Sequence, residues 1–171
     1  GRVAIMKRYA SFSPDGSRIV IGADDGSVSL WEPGGSVQIC SPATGKAIYS
    51  AVFSPDGAAI LIAGAEGTVR LLDAANCTRE IRQFNGHTGI VRSALFDAAG
   101  DRIVSAGEDG TARIWSTATG EEIAPPLVHA DWLLYASFSP DGKQVATASR
   151  DRTARVWDVA SGELLAELPG H

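Results

Sequence analysis

One pentapeptide constrains this chain more than anything else in it. FSPDG stands at residues 12–16, 53–57 and 138–142, and FDAAG fills the same slot at 96–100. The steps from Phe12 to Phe53, Phe96 and Phe138 are 41, 43 and 42 residues. An acid and a turn residue follow each copy, Asp25-Gly26, Glu66-Gly67, Asp109-Gly110 and Asp151-Arg152, at the same steps. A third marker closes each unit: SLWE at Glu32, RLLD at Asp73, RIWS at Ser116 and RVWD at Asp158. Three markers on one period mean four copies of one structural unit.

Inside a unit the residues read as strands. Val, Ile, Leu and aromatic residues run four to seven at a time between Pro-Asp-Gly, Asp-Gly or Thr-Gly turns. In the third unit this predicts strands over 90–96, 102–106, 111–115 and 121–124. Pro125 and Pro126 then fall at the end of the fourth strand, which must be an edge strand because proline donates no ladder hydrogen bond. Four such strands make one antiparallel sheet, too thin to bury both its faces alone. It has to stack on its neighbours, and radial stacking of such sheets is a propeller. The expectation is an all-β chain, a β-propeller of four-stranded antiparallel blades, with four blades at about 4–43, 44–86, 87–128 and 129–170.

The markers together resemble the WD-repeat family of β-propellers along the whole chain. The period, the Trp-Asp of RVWD, and Gly86-His87 and Gly170-His171 carry the resemblance. It implies a buried hydrogen-bonded chain in each well-formed blade, from a Trp on the third strand through a Ser or Thr on the second to a loop His and the turn Asp. The third blade has all four members, His87, Ser105, Asp109 and Trp115, and the fourth has His129, Thr147, Asp151 and Trp157. The first keeps Asp25 and Trp31 but has Ile21 for the hydroxyl and Val3 for the His. The second has Thr44, Ile62, Glu66 and Leu72. Losing several members together leaves few buried polar groups unpartnered, whereas losing one strands the others at about 1–3 kcal/mol each. The second blade is therefore expected to fold, with Glu66 bonding backbone amides or solvent.

Composition narrows the function. The hydrophobic share of 44% and charged share of 20% describe a globular chain. A net charge of −5 without a Lys/Arg cluster gives no stripe for displacing phosphate counterions and no polybasic membrane patch, so neither nucleic acid nor membrane is expected as a partner. The start, GRVAIMKRYASF, lacks a signal-peptide h-region. Cys40 and Cys77 are expected as two small apolar side chains in a reducing compartment, which places the chain in the cytoplasm. Gly45-Lys46 is no phosphate loop, since Cys40 replaces the upstream glycine and Ala47 the Ser or Thr. There is no GxSxG elbow, and histidines 42 residues apart lack metal-ligand spacing. The chain reads as no enzyme, with no cofactor and no metal.

Other proteins are the expected partners. The resemblance marks three positions per blade on the narrow top face: two flanking the start of the first strand, and the one before the turn acid. Here they are Met6, Arg8 and Asp24; Ala47, Tyr49 and Ala65; Ile90, Arg92 and Glu108; and Trp132, Leu134 and Arg150. Trp132 stands out as the one Trp outside the repeat's Trp column, and Trp, Tyr and Arg are the residues enriched in interface hot spots. The leading expectation is a protein-interaction scaffold. The alternative is a sensor propeller, because near-regular SPDG arrays resemble those attached to large bacterial signalling ATPases and kinases. His171 stands where a fifth repeat would begin. A half-ring is therefore expected, completed by further sequence or by another chain; two copies head to tail would give eight blades.

Overall fold

The computed structural model describes residues 7–32, 34–35, 37–40 and 45–170, with the side chains of 7–8 and 37–40 left aside. All sixteen elements within this range are strands. The first blade is β1 (Lys7–Phe12), β2 (Ile19–Ala23), β3 (Val28–Trp31) and β4 (Val37–Cys40). The second is β5 (Ile48–Phe53), β6 (Ala59–Gly64), β7 (Val69–Asp73) and β8 (Glu80–Phe84). The third is β9 (Val91–Phe96), β10 (Arg102–Gly107), β11 (Thr111–Ser116) and β12 (Leu127–Val128). The fourth is β13 (Leu133–Phe138), β14 (Gln144–Ser149), β15 (Thr153–Asp158) and β16 (Leu164–Pro169). Each set forms one four-stranded sheet in simple sequence order, every pair antiparallel. This is the propeller-blade architecture that the repeat predicts.

The core lies between blades. Each blade's rear face packs on the front face of the blade before it. Between the second and third blades, Leu61, Ala63, Val69, Leu71 and Phe84 meet Val91, Ala94, Ile103 and Trp115. Between the third and fourth, Val104, Ala106, Ala112, Ile114 and Leu127 meet Leu133, Ala136, Val145 and Trp157. Val20, Val28 and Leu30 meet Ile48, Ala51, Phe53, Ile60, Ile62 and Leu72 between the first two. The same columns recur at each step of 41 to 43 residues. Full burial of each Val, Leu or Ile contributes about 1.5–3 kcal/mol.

Three expectations are corrected. The fourth strand of the third blade is not at 121–124: a single bridge joins Glu122 to Trp115, and the strand proper is β12. Pro125 and Pro126 interrupt the edge rather than end it, since neither can donate to β11. Glu66 pairs with the Arg70 guanidinium at 2.6 Å instead of with backbone amides. Cys77, fully buried against the core shared by the first two blades, is disulfide-bonded and not a free thiol. The sequence has one other cysteine, Cys40, whose side chain lies outside the described residues.

The tight turn after the second strand needs a left-handed residue. Gly26, Gly67 and Gly110 supply it at φ of 81°, 77° and 77°, and the fourth blade uses Arg152 at φ 70°. A side chain in that region costs roughly 1–2 kcal/mol, only partly offset by the entropy that glycine loses on folding. Arg152→Gly is expected to stabilise the chain by up to about 1 kcal/mol, read as a higher urea midpoint at unchanged m-value.

Candidate functional site

Two constellations recur at the repeat period. The first is buried. In the third blade the Trp115 indole N–H donates to Ser105 Oγ at 2.9 Å, and Ser105 lies 2.7 Å from His87 Nε2. His87 Nδ1 lies 2.9 Å from Asp109 Oδ2. Asp109 also accepts from the Thr111 hydroxyl at 2.8 Å and from the Thr88 amide at 3.0 Å. The fourth blade repeats this with Trp157 to Thr147 at 2.9 Å, Thr147 to His129 at 2.8 Å and His129 to Asp151 at 2.9 Å. One proton order satisfies every group: indole to hydroxyl, hydroxyl to Nε2, Nδ1–H to carboxylate.

Ser105, His87 and Asp109 have the distances of a hydrolytic triad. Access decides against that chemistry. Ser105 is 0% exposed, the His87 side chain 1%, and the hydroxyl already holds the Trp115 indole. A nucleophile there has no face to offer a substrate.

The second constellation is on the top face, partly exposed at Tyr49, Arg92 and Glu108 and exposed at Trp132, Leu134 and Arg150. In every blade the register slips by one residue near the start of the first strand, between Lys7 and Tyr9, Ile48 and Ser50, opposite Ala106 and Gly107, and between Leu133 and Tyr135. The extra residue is Arg8, Tyr49, Arg92 or Leu134. A bulge leaves its residue unpaired and re-aims the side chain. Backbone bonds then draw in the other two positions: Ala65 N–H to Ala47 at 2.9 Å, Glu108 N–H to Ile90 at 2.8 Å and Arg150 N–H to Trp132 at 2.9 Å.

Side chains link these positions across blades. The Arg92 guanidinium lies 4.6 Å from the Tyr49 ring centroid and 5.9 Å from that of Trp132, and Arg150 lies 4.6 Å from the Trp132 centroid on its own blade. Glu108 holds Arg92 through Nε at 2.7 Å and through Nη2. The result is a ladder, Tyr49–Arg92–Trp132–Arg150, spanning three blades. Trp132 is 37% exposed and Leu134 46%, so Trp132 is not filling a gap in the core. Asp24 and Ile90 are half-buried; Met6 and the Arg8 side chain lie outside the described residues, as do Val3 and Thr44.

A family model described as WD domain, G-beta repeat matches residues 8–32, 35–73, 78–116 and 127–158. The chain belongs to the WD-repeat family. A search of curated proteins gives no match. WD repeats are in general non-catalytic interaction modules, and this WD-repeat chain is a protein-interaction or scaffold-type domain. Among the described residues no helix is long and apolar enough to cross a membrane. Among the described residues no three His, Cys, Asp or Glu side chains are grouped to hold a metal.

The ladder's ion pair between Arg92 and Glu108 and the stacking of Arg92 on Tyr49 escape a reading by positions. Position counts put these residues on one face but cannot say which guanidinium bridges two blades. Spacing carries one usable signal: both Arg92 and Tyr49 occupy the bulge column.

Protonation in the WD-repeat networks follows from burial. Burial pushes the His87 and His129 pKa values below the ordinary imidazole range, with the Asp109 and Asp151 carboxylates opposing it only in part. For Asp109 and Asp151 burial pushes upward, but hydrogen bonds from Thr111 and the Thr88 amide, from Thr153, and from the histidines outweigh it, so both are lowered. A folded state with neutral histidines binds fewer protons than the unfolded chain below about pH 6.5, so stability falls as pH drops. The lowered aspartates add a further loss below about pH 4. Tm is expected to decrease between about pH 7 and pH 5; a flat profile there contradicts neutral histidines.

Removing the hub should cost more than its size suggests. Ser105→Ala leaves the Trp115 N–H and the His87 Nε2 buried and unpaired, a loss of about 1–3 kcal/mol per group. Urea unfolding of this variant against wild type measures it, and a loss under about 0.5 kcal/mol contradicts the network's role.

Proposed function

We propose that this chain is a non-catalytic scaffold that binds other proteins through the ladder Tyr49–Arg92–Trp132–Arg150. The observation that carries this reading is pre-organisation. Glu108 and Tyr49 fix Arg92 before any partner arrives, and Trp132 lies against the Arg92 and Arg150 guanidinium groups while over a third of its surface stays open. Ordering such side chains costs about 0.5–1.5 kcal/mol each at an interface, and here that ordering is already done. Met6, Arg8, Asp24, Ile90, Glu108 and Leu134 belong to the proposed face as its surround. Arg150 stacks on Trp132 and has no carboxylate partner among the described residues, which suits a partner segment carrying an acidic residue beside an apolar one.

The partners in this reading are proteins, a second copy of the chain among them, and not nucleic acid or membrane. The net charge of −5 supports that restriction. The reading places the scaffold in the cytoplasm, and the Cys77 disulfide is the feature that runs against a reducing compartment. The sensor reading, a propeller segment of a larger signalling ATPase or kinase, rests on the SPDG turns alone.

Trp132→Ala is expected to weaken partner binding by at least about 2 kcal/mol, roughly 30-fold. A pull-down comparing wild type with the Trp132→Ala, Arg150→Ala double variant checks it. The captured proteins should drop out with the variant while circular dichroism stays unchanged; an undiminished set overturns the ladder as the docking face.

A further inference from the structure

One column of the repeat is filled differently at consecutive junctions. The residue six places after the Phe of each turn motif is Arg18 in the first blade, Ala59 in the second and Arg102 in the third. Where it is arginine, its guanidinium lies over the Phe of the next blade, Arg18 over Phe53 at 5.3 Å and Arg102 over Phe138 at 5.1 Å. Arg18 also donates to two carbonyls of that blade, Ala74 from Nη1 at 2.8 Å and Gly57 from Nη2 at 3.4 Å. Between the second and third blades the column holds only a methyl group, and the matching space is a cavity of about 210 Å³. Ala59 and Leu71 of the second blade and Phe96, Gly100, Asp101 and Thr117 of the third line it.

We propose that this cavity binds a guanidinium group, supplied by an arginine side chain of a partner protein, in the place that Arg18 fills one junction earlier. The cavity lies at the end of the first strands opposite the top-face ladder, and the proposal stands without that reading.

Each group that receives Arg18 has its counterpart here. Phe96, partly exposed, stands where Phe53 does. Thr117 and Gly100 stand where Ala74 and Gly57 do, in a register fixed by matching backbone bonds: Ala74 N–H to Ala58 and Thr117 N–H to Asp101, both at 2.9 Å. The Thr117 hydroxyl oxygen is buried and, among the described residues, has no hydrogen-bond partner. Buried polar side-chain atoms are rarely left so, and an arriving N–H donor would satisfy this one. Charge fits as well. The ionisable groups lining the cavity are two carboxylates, Asp56 and Asp101. The Ser54 hydroxyl at 2.5 Å and the Ala58 amide at 3.0 Å hold the Asp56 carboxyl below the usual carboxylate range, so it stays ionised. The equivalent groove between the third and fourth blades differs: Arg102 and Lys143 line it beside Asp141 and Asp158, so the chain supplies its own cations there. A guanidinium can lie flat on a ring while its fork of donors reaches carbonyls and a carboxylate, which a compact ammonium cannot do.

Titration of the isotope-labelled chain with N-acetyl-arginine amide, followed by amide NMR, tests this. The amides of Gly100, Asp101 and Thr117 are expected to shift and to saturate in the millimolar range. N-acetyl-citrulline amide, the uncharged isostere, should bind about tenfold more weakly. Ala59→Arg puts the chain's own guanidinium in the cavity and should abolish the shifts. Asp101→Asn changes an exposed side chain; it should weaken binding several-fold with circular dichroism unchanged, which keeps the test open if Ala59→Arg does not fold. The Trp132→Ala, Arg150→Ala variant should bind the probe as wild type does, which separates this cavity from the ladder. No shift at these three amides, equal binding of the citrulline probe, undiminished binding by Asp101→Asn or by folded Ala59→Arg, or loss of binding in the Trp132→Ala, Arg150→Ala variant overturns the proposal. Tighter binding of free arginine than of the capped probe overturns a protein side chain as the source.

Discussion

Sheet-on-sheet packing between consecutive blades is the contact on which the rest of this structure depends. A unit of about 42 residues has no interior of its own. Ile103 and Trp115 are buried because Leu61, Leu71 and Phe84 of the preceding blade lie on them, and Val104 and Ile114 because Leu133 and Val145 of the following one do. The polar networks inherit their burial from these junctions. They sit on the rear face beside the Trp, and the low exposure that keeps Ser105 and His87 from water comes from the neighbouring blade.

That dependence explains how two solutions coexist in one chain. The second and third blades meet over Trp115 and its hydrogen-bonded set, while the first and second meet over Ile62 and Leu72, which carry no polar group. Both leave few buried donors or acceptors without partners, and a half-complete set would not. The apolar junction also contains the buried, disulfide-bonded Cys77. The top-face ladder is a product of the same regularity. A bulge at the same place in the first strands of the second and third blades brings Tyr49 and Arg92 to the top face, within stacking distance although 43 residues separate them.

Much of the fold was readable because periodic markers report on backbone and burial together. The four sheets, their antiparallel order and the edge position of the fourth strand follow from turns and strand runs that repeat. The misreadings fall where the local chain departs from the repeat. Pro125 and Pro126 shifted the edge pairing to Leu127, whose side chain the junction needs. Glu66 found Arg70, a partner set by β-strand register, before it found any amide. The disulfide of Cys77 could not be read from spacing, because a sulfur's partner depends on which loops the blades bring together. On the candidate site, position counting named Arg92, Tyr49, Trp132 and Arg150, but not that they form one ladder or that Glu108 steadies it.

What the amino-acid order determined by itself was the unit: its length, its four strands, its turns and the columns facing its neighbours. Those are local properties, fixed by which side chains alternate along a strand and which residues tolerate a left-handed turn. What only the tertiary structure decided was which columns are covered. Ile114 is sealed by Leu133 and Val145 of the following blade and Trp115 by Leu61 and Phe84 of the preceding one, and neither pairing is written in the unit that holds it. Burial is a property of a side chain and its neighbour together, and a repeat specifies only one of the two.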